Sequence, residues 1–312
     1  MDSLPLDISH PAVQDYLSLV RLQVLTPLSL LINIATLVVC SVIVKPSAGS
    51  IIKSHPTSIS PSPSLISAYV VAICLGQIGY CTLLVVARKP ETKHTQTTIV
   101  KGVGLSLVFA NWLMALWAVC WVLEFFLLST ILLGLLVLCL LYSNIALLTY
   151  HPPTSSRPLD TALIHAPLRF FLILPLSLLF PYSLFITLGL YYSPSNPEDY
   201  GRFAWPGFGV TCGANLIGLF VIMMRRDIVW AVAATWICVS IWTARPKPAP
   251  VYITVILFTV LHPLALIGTL LYRRLTKREG RIALPTDEEH DTGAPNGHGP
   301  REIDAEALWG SG

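Results

Sequence analysis

The segment FFLLSTILLGLLVLCLLYSNIALLT, Phe125–Thr149, contains no charged residue along its whole length. About 20 mainly apolar residues of helix cross the hydrocarbon core of a bilayer, so this segment predicts a transmembrane helix. Upstream of Glu124 the uncharged run continues back to Gly102. One helix over the whole run would measure roughly 70 Å, about twice the thickness of the hydrocarbon core. The chain therefore has to break near Glu124.

The composition extends this conclusion to the whole chain. Only 12% of the 312 residues are charged and 54% are hydrophobic, whereas a soluble domain carries about 25% charged residues. The apolar residues form long blocks, which exclude the alternating pattern of a membrane barrel and leave helices to satisfy the backbone in lipid. The predicted fold class is an all-α integral membrane protein, a bundle of about eight transmembrane helices. The eight blocks are Val24–Val44, Leu65–Ala87, Gly102–Leu123, Phe125–Thr149, Leu168–Tyr192, Pro206–Met224, Ile228–Thr243 and Val251–Tyr272.

The distribution of Lys and Arg predicts how the chain crosses the membrane. With eight crossings, fourteen of the nineteen Lys and Arg residues up to Arg281 fall on one side and five on the other. Short loops rich in Lys and Arg stay in the cytoplasm, so both termini are predicted to be cytoplasmic. Three regions follow: a cytoplasmic segment 1–23 that contains a short interfacial helix, a membrane domain 24–272, and a basic juxtamembrane segment with a disordered tail, 273–312. The basic side chains of Arg273–Arg281 are expected to contact anionic lipid headgroups.

No cleavable targeting signal is predicted at the N-terminus. Asp2, Asp7 and Asp15 precede the first apolar block, and both secretory signal peptides and mitochondrial presequences avoid acidic residues. The first block is therefore predicted to be an uncleaved signal anchor. A signal anchor fits an endomembrane or a plasma-membrane location and argues against mitochondrial import; of the two, we favour the endomembrane system, the ER or Golgi.

The segment PSAGSIIKSHPTSISPSPS, Pro46–Ser64, joins the first two blocks and is rich in Ser and Pro. This composition is typical of a flexible connection. We predict a flexible loop on the non-cytoplasmic side.

Glu124 is the first candidate catalytic residue. Trp117 and Trp121 precede it at the i, i+4, i+7 spacing, which places all three on one face of a helix. If this face points into the bundle, burial against the indoles raises the pKa of the carboxyl, which would then protonate an apolar substrate while the rings stabilise the resulting cation. Two alternatives stay open: Glu124 ends a helix at the membrane surface, or it hydrogen-bonds a neighbouring helix.

These residues favour a membrane-embedded enzyme or binder acting on an apolar lipid or isoprenoid. An enzyme of this kind would be an acid-initiated terpenoid cyclase or an isomerase without metal. Asn111, Asn144 and Asn215, all within predicted helices, would orient a substrate oxygen. An uncoupled transporter of small solutes and a trafficking or scaffold protein are the alternatives. The enzyme requires a water-poor cavity at Glu124, and the transporter requires a polar path between the two membrane faces.

A second candidate site lies in the segment YHPPTSSRPLDTALIHAPLR, Tyr150–Arg169. Arg157 and Arg169, with His151 and His165, gather near one membrane interface and would hold a phosphate headgroup at a helix start. In the alternative interpretation the prolines set an extended geometry and a helix start, and the charges are simply solvated.

The tetrapeptide MRRD, Met224–Asp227, forms a very short connection between two blocks. Asp227 is placed to cap the following helix, and Arg225 and Arg226 suit the C-terminal end of the preceding one. Capping accounts for all three residues without a binding role.

Several kinds of chemistry lack a sequence signature in this chain. The seven cysteines form no CxxC pair, and the histidines have no HxxxH or HExxH spacing, so no metal site is predicted. No acid pair of the DDxxD type lies at a predicted helix end and no phosphate-binding P-loop is present, which leaves magnesium–diphosphate chemistry and ATP hydrolysis unsupported. We predict no cofactor and no nucleic-acid partner; the bilayer and an apolar small molecule are the expected partners.

Four stretches resemble a family of fungal multi-spanning membrane proteins that share a domain of unknown function. They are Tyr150–Pro167, RRDIVW at Arg225–Trp230, ANWLMALW at Ala110–Trp117 and LHPLAL at Leu261–Leu266. The resemblance covers most of Leu65–Tyr272. It implies a helical membrane fold and a fungal source, and it carries no activity with it.

Overall fold

A computed structural model describes residues 11–86, 93–151, 158–193, 196, 199 and 201–279, where all regular secondary structure is helical. The described residues up to Leu271 form one compact unit, and Tyr272–Glu279 belong to a second. The α-helices are α1 (Pro11–Val38), α2 (Ala48–Ser54), α3 (Pro63–Val86), α4 (Lys93–Thr97), α5 (Ser106–Val122), α6 (Phe126–Tyr150), α7 (Pro158–Asp160), α8 (Ala166–Leu174), α9 (Phe180–Thr187), α10 (Ala204–Arg225), α11 (Ile228–Thr243) and α12 (Ala249–Glu279). Within the described residues, four π-helical segments extend or join them: Val39–Ile43, Thr98–Val103, Thr161–His165 and Pro175–Leu179.

Each of the eight predicted apolar blocks overlaps helix in the described residues. Six helical segments of the described chain are long and apolar enough to cross a membrane, and a seventh is added if the bent pair Thr95–Val103 and Ser106–Val122 counts as one span. The remaining block, α11, has 16 residues, fewer than the roughly 20 that span a typical bilayer. The chain is thus an all-helical protein with six candidate spans, and the count of eight stays a prediction.

Two breaks divide the long uncharged run. α5 ends at Val122 and α6 begins at Phe126, so the chain does turn at Glu124, which adopts the left-handed conformation with φ of +60°. An upstream bend of 49° separates Thr95–Val103 from α5. Gly104 lies at that bend with φ of +52°, where a glycine avoids the steric cost that a Cβ atom would impose.

The fifth block begins and ends earlier than predicted. The apolar helical segment runs from Pro158 to Thr187, in place of Leu168–Tyr192, and includes two π-helical segments. Pro175 starts the second of these. Because proline has no N–H, the regular ladder of hydrogen bonds cannot continue through it, and a π-helical turn is a common way to absorb the break.

The N-terminal interfacial helix is not a separate element in the described residues. α1 runs without interruption from Pro11 through Pro27 to Val38, so the segment predicted to lie at the interface is continuous with the first candidate span. Residues 1–10 lie outside the described residues, as do Arg281 and the rest of the predicted tail.

The prediction of a flexible loop at Pro46–Ser64 is wrong. This segment contains α2 and then a stretch, Thr57–Ser60, in which every side chain is at most 7% exposed. We call residues 55–62 the plug. A Ser/Pro-rich composition says nothing about burial, because serine and threonine side chains can satisfy their hydrogen bonds locally with the nearby backbone.

The plug is fixed to helices that are distant in the sequence. Tyr182 donates from its hydroxyl to the carbonyls of Ile52 and His55 at 3.3 and 3.1 Å. The backbone N–H of Ser62 donates to the carbonyl of Ser240 at 2.7 Å. These long-range bonds satisfy backbone groups that burial would otherwise leave unpaired, so the plug closes one end of the helix bundle.

Lys247, in the connection between α11 and α12, also contacts the plug through its side chain. Its Nζ atom donates to the carbonyl of Ser60 at 2.6 Å. Burial disfavours the charged form and lowers the pKa of this ammonium to about 7, from an ordinary value of 10.5.

This shift predicts a pH-dependent stability. Between pH 7 and 10.5 the unfolded chain binds a proton at Lys247 that the folded chain does not, so the stability of the wild type rises with pH in this window. Lys247→Met removes the titrating group. We expect the melting temperature of Lys247→Met minus that of the wild type, measured in detergent, to fall by several degrees from pH 7 to pH 10. Lys53→Met, at an exposed position, is the control, and an equal pH response in both variants contradicts the assignment.

Candidate functional site

An apolar groove lies between α3, α11 and α12. It has a volume of about 440 Å³, within the range of roughly 300–1,000 Å³ that is typical of small-molecule sites. The groove is lined by Leu65, Ala231, Val232, Thr235, Trp236, Val239, Pro263 and Leu266. Thr235 carries the one hydroxyl in this lining. We refer to these eight residues as the groove.

Aromatic side chains fix the back wall of the groove. Trp236 donates from its indole N–H to the carbonyl of Leu65 at 3.1 Å, so its polar atom is already satisfied. The Trp236 ring packs edge-on against Tyr69 and Phe170, with centroids 5.6 and 6.1 Å away. Tyr69 and Phe170 are stacked at 4.1 Å. The wall is therefore rigid and presents indole carbon to any occupant.

Glu124 lies away from this groove. It occupies the turn between α5 and α6 and is exposed, which agrees with the alternative that it ends a helix at the membrane surface. Trp121 is 2% exposed and donates from its indole N–H to the carbonyl of Ala48 at 3.4 Å. Trp117 is half-buried, and its ring centroid lies 6.0 Å from that of Trp121. The indoles thus pack inside the bundle while the carboxyl faces outward, and its proposed role as a general acid stays a prediction.

The three asparagines predicted to orient a substrate oxygen form separate hydrogen bonds within the bundle. Asn144 donates to the carbonyls of Leu140 and Leu168. Asn215 donates to the carbonyl of Thr211 at 2.7 Å and accepts from the thiol of Cys238 at 3.0 Å. Each amide is used within the bundle, so the described structure does not bring the three together around one substrate position.

Asn111 belongs to a chain of buried amides that the sequence analysis missed. Asn33 of α1 donates to Asn111 of α5 at 3.1 Å, and Asn111 donates to Gln77 of α3 at 2.8 Å. All three are at most 2% exposed. Interhelical amide bonds of this kind hold membrane helices together. A single Asn or Gln in each of three apolar blocks was the signal available in the sequence.

The predicted headgroup residues are only partly described. Arg157 lies outside the described residues. His151 is half-buried and 3.3 Å from the hydroxyl of Thr98. His165 and Arg169 are 4% and 8% exposed, and their spacing of four residues puts them one turn apart on neighbouring helical segments.

Arg169 has a partner that the sequence analysis had assigned to capping alone. Its Nη1 atom lies 2.7 Å from Oδ2 of Asp227, and both side chains are at most 10% exposed. The other carboxylate oxygen of Asp227 accepts from the backbone N–H of Trp230 at 3.1 Å, so the predicted helix cap is confirmed. One carboxylate therefore joins α8 to the start of α11. Within the described residues, no group of three His, Cys, Asp or Glu side chains is arranged to hold a metal ion.

Comparison with known proteins identifies the family. No curated protein and no solved structure matches the chain significantly. The model of a family described as TSPO-like protein matches residues 23–269, which include α3, the groove and the Arg169–Asp227 pair. The match neither tests the expected fungal source nor names an organelle. A multi-pass helical membrane architecture and a family match over most of its length together show that this chain belongs to the TSPO-like protein family.

Proposed function

We propose that this chain is a membrane-embedded lipid binder, and that the groove between α3, α11 and α12 holds the hydrocarbon of its ligand. The observation that carries the proposal is the apolar groove of about 440 Å³. One of its walls is the ring of Trp236, which packs against Tyr69 and Phe170. A polar solute would lose its hydration there without gaining hydrogen bonds, and that loss is costly. An apolar chain or ring system would exchange lipid contacts for contact with Trp236 and Pro263.

The binder is favoured over the terpenoid cyclase because the candidate acid and the groove are separate. Glu124, Trp117 and Trp121 do not line the groove, so acid catalysis would need a second cavity. The transporter interpretation would need a continuous polar path, whereas the buried asparagines contact different sets of helices. No specific observation favours the scaffold interpretation.

Lipid binding in the groove is tested with a substitution that fills the groove. A diazirine-bearing fatty-acyl or isoprenoid probe is incorporated into nanodiscs with the purified protein, and photolabelled peptides are identified by mass spectrometry. Val232→Trp places a large ring in the groove. We expect labelling of the α11 peptide to fall about tenfold, equivalent to roughly 1.4 kcal/mol of lost affinity.

The control is a lipid-facing valine of equal exposure outside the groove. Val232 and Val260 are 51% and 52% exposed, and only Val232 lines the groove. Val260→Trp should label like the wild type. Equal labelling of the two variants would show that the probe reports bulk lipid, and the proposal would then be rejected.

A further inference from the structure

The hydroxyl of Thr235 is a hydrogen-bonding group that the fold does not use. Thr235 lines the groove and is half-buried. No hydrogen bond joins its hydroxyl to another residue of the described chain. A hydroxyl that faces hydrocarbon without a partner costs free energy. The groove therefore contains one free hydrogen-bond donor.

This hydroxyl differs from those of other helical threonines in the protein. A threonine in a helix commonly donates to the carbonyl four residues earlier, which satisfies its hydroxyl locally. Six threonines form this bond at 2.7–3.0 Å: Thr36, Thr82, Thr149, Thr243, Thr254 and Thr259. Thr26 also lacks a partner, but it is 1% exposed and sealed inside the bundle. Thr235 combines an unpaired hydroxyl with a position on the wall of a groove.

The position of Thr235 limits the class of ligand that could supply a partner. α11 has 16 residues, and Thr235 lies near its middle, roughly 10 Å of helix from either end. A phospholipid keeps its headgroup at the membrane surface, so only its acyl chains would reach this depth. No charged side chain lines the groove, so the carboxylate of an ionised fatty acid would stay uncompensated. The partner is therefore an oxygen within the hydrocarbon of a neutral lipid.

A carbonyl oxygen suits this position better than a hydroxyl. Trp236 already donates its indole N–H to the carbonyl of Leu65, and Thr235 is the one groove residue whose side chain can accept a hydrogen bond. If two hydroxyls met there, one would donate to the other and the second donor would remain unpaired. A carbonyl oxygen accepts from Thr235 and brings no donor of its own, so no donor is left over.

We propose, resting on the lipid-binding function proposed above, that the groove binds a neutral lipid with a ketone or ester carbonyl within its hydrocarbon, and that Thr235 donates a hydrogen bond to that carbonyl. The apolar residues of the groove then contact the hydrocarbon, and Thr235 distinguishes among lipids of equal size. A site that uses a hydrogen bond in this way discriminates against an analogue that lacks the matching group.

The experiment compares three competitors that differ at one carbon: a long-chain alkane, the alcohol with its hydroxyl on the central carbon, and the matching ketone. Each is titrated into nanodiscs that contain the purified full chain and the diazirine-bearing isoprenoid probe, and labelling of the α11 peptide is measured. We expect the ketone to displace half of the probe at a mole fraction roughly three- to tenfold lower than the alkane or the alcohol, the range that corresponds to one net hydrogen bond.

Thr235→Val replaces the hydroxyl by a methyl group, and in this variant the three competitors should act equally. The control is Thr82→Val. Thr82 is exposed, its hydroxyl donates to the carbonyl of Ile78, and it does not line the groove, so this variant should retain the preference for the ketone.

The outcomes separate this proposal from lipid binding in the groove. If the three competitors act equally on the wild type while Val232→Trp still suppresses labelling, the groove binds lipid and the carbonyl assignment is wrong. An alcohol that competes as well as the ketone also overturns that assignment, and a ketone preference that survives in Thr235→Val overturns the role of Thr235. If Val232→Trp and Val260→Trp label alike, the groove function fails and this proposal fails with it.

Discussion

Arg169→Met should lower the free energy of unfolding by about 3–5 kcal/mol, the cost of leaving one charge of a buried ion pair without its partner. Arg169 and Asp227 are 8% and 6% exposed and lie 2.7 Å apart. Without the guanidinium, the Asp227 carboxylate keeps one hydrogen-bond partner among the described residues, the N–H of Trp230. The measurement is equilibrium unfolding in mixed micelles, followed by tryptophan fluorescence.

A double-mutant cycle distinguishes the pair from general damage to α8. Asp227→Asn retains a helix-capping side chain but strands the arginine, and should cost a similar amount. Arg169→Met with Asp227→Asn removes both charges, so the double variant should be more stable than the sum of the two single losses predicts, by about 1–3 kcal/mol. Strict additivity would show that the two charges do not interact. Arg202→Met, on the surface, should stay within about 0.5 kcal/mol of the wild type.

Gly207→Ala should destabilise the protein and loosen the plug, although alanine is the better helix former. A Cβ atom at position 207 would lie 2.2 Å from Oγ of Ser58, 2.8 Å from its Cβ and 3.0 Å from Val251. Ser58 is fully buried and short, so the clash is relieved only by moving the plug backbone. Overpacking of this kind costs about 1–3 kcal/mol.

Gly209 on the same helix supplies the matched control. Nothing lies within 4 Å of a Cβ built at that position, so Gly209→Ala should be neutral or stabilising by up to about 1 kcal/mol, the helix preference of alanine over glycine. A cysteine at Ser60 in a cysteine-free background reports the position of the plug. An impermeant maleimide should label it faster when Gly207→Ala is present and at the background rate with Gly209→Ala. We expect Gly207→Ala to lower the free energy of unfolding and Gly209→Ala not to lower it, and an equal loss in both variants would remove the steric explanation.

Much of the helical framework could be predicted because lipid restricts the choices. Backbone groups in hydrocarbon have to pair within their own segment, so a run such as Phe125–Thr149 has one structural solution. The break at Glu124 followed from length alone. Sequence-based prediction failed for the start of the fifth block and for the connection after the first block, because length and hydropathy carry no information on either. The start at Pro158 depends on a π-helical segment, and the burial of Thr57–Ser60 depends on Tyr182 and Ser240, which are more than a hundred residues away.

The candidate site also contains residues that the sequence indicated and residues that only the fold revealed. The sequence drew attention to the isolated charge at Glu124, because a lone acid in an apolar run is conspicuous. The groove is made of ordinary apolar residues, and its outline arises from the spacing between α3, α11 and α12. His165 and Arg169 were found as candidates, whereas Asp227 was assigned to a helix cap, since its ion pair with Arg169 is visible only after folding.

By itself the sequence determined that this protein is a helical membrane protein, where its apolar segments lie and where its longest one breaks, because the desolvation of backbone and side chains is a local property of each segment. Tertiary structure alone decided that Glu124 faces outward, that Asp227 pairs with Arg169, and that a Ser/Pro-rich connection plugs the bundle. These outcomes depend on which helices contact each other and on where along their length they do so. That is set by close packing between residues such as Gly207 and Ser58, which pattern and composition do not encode.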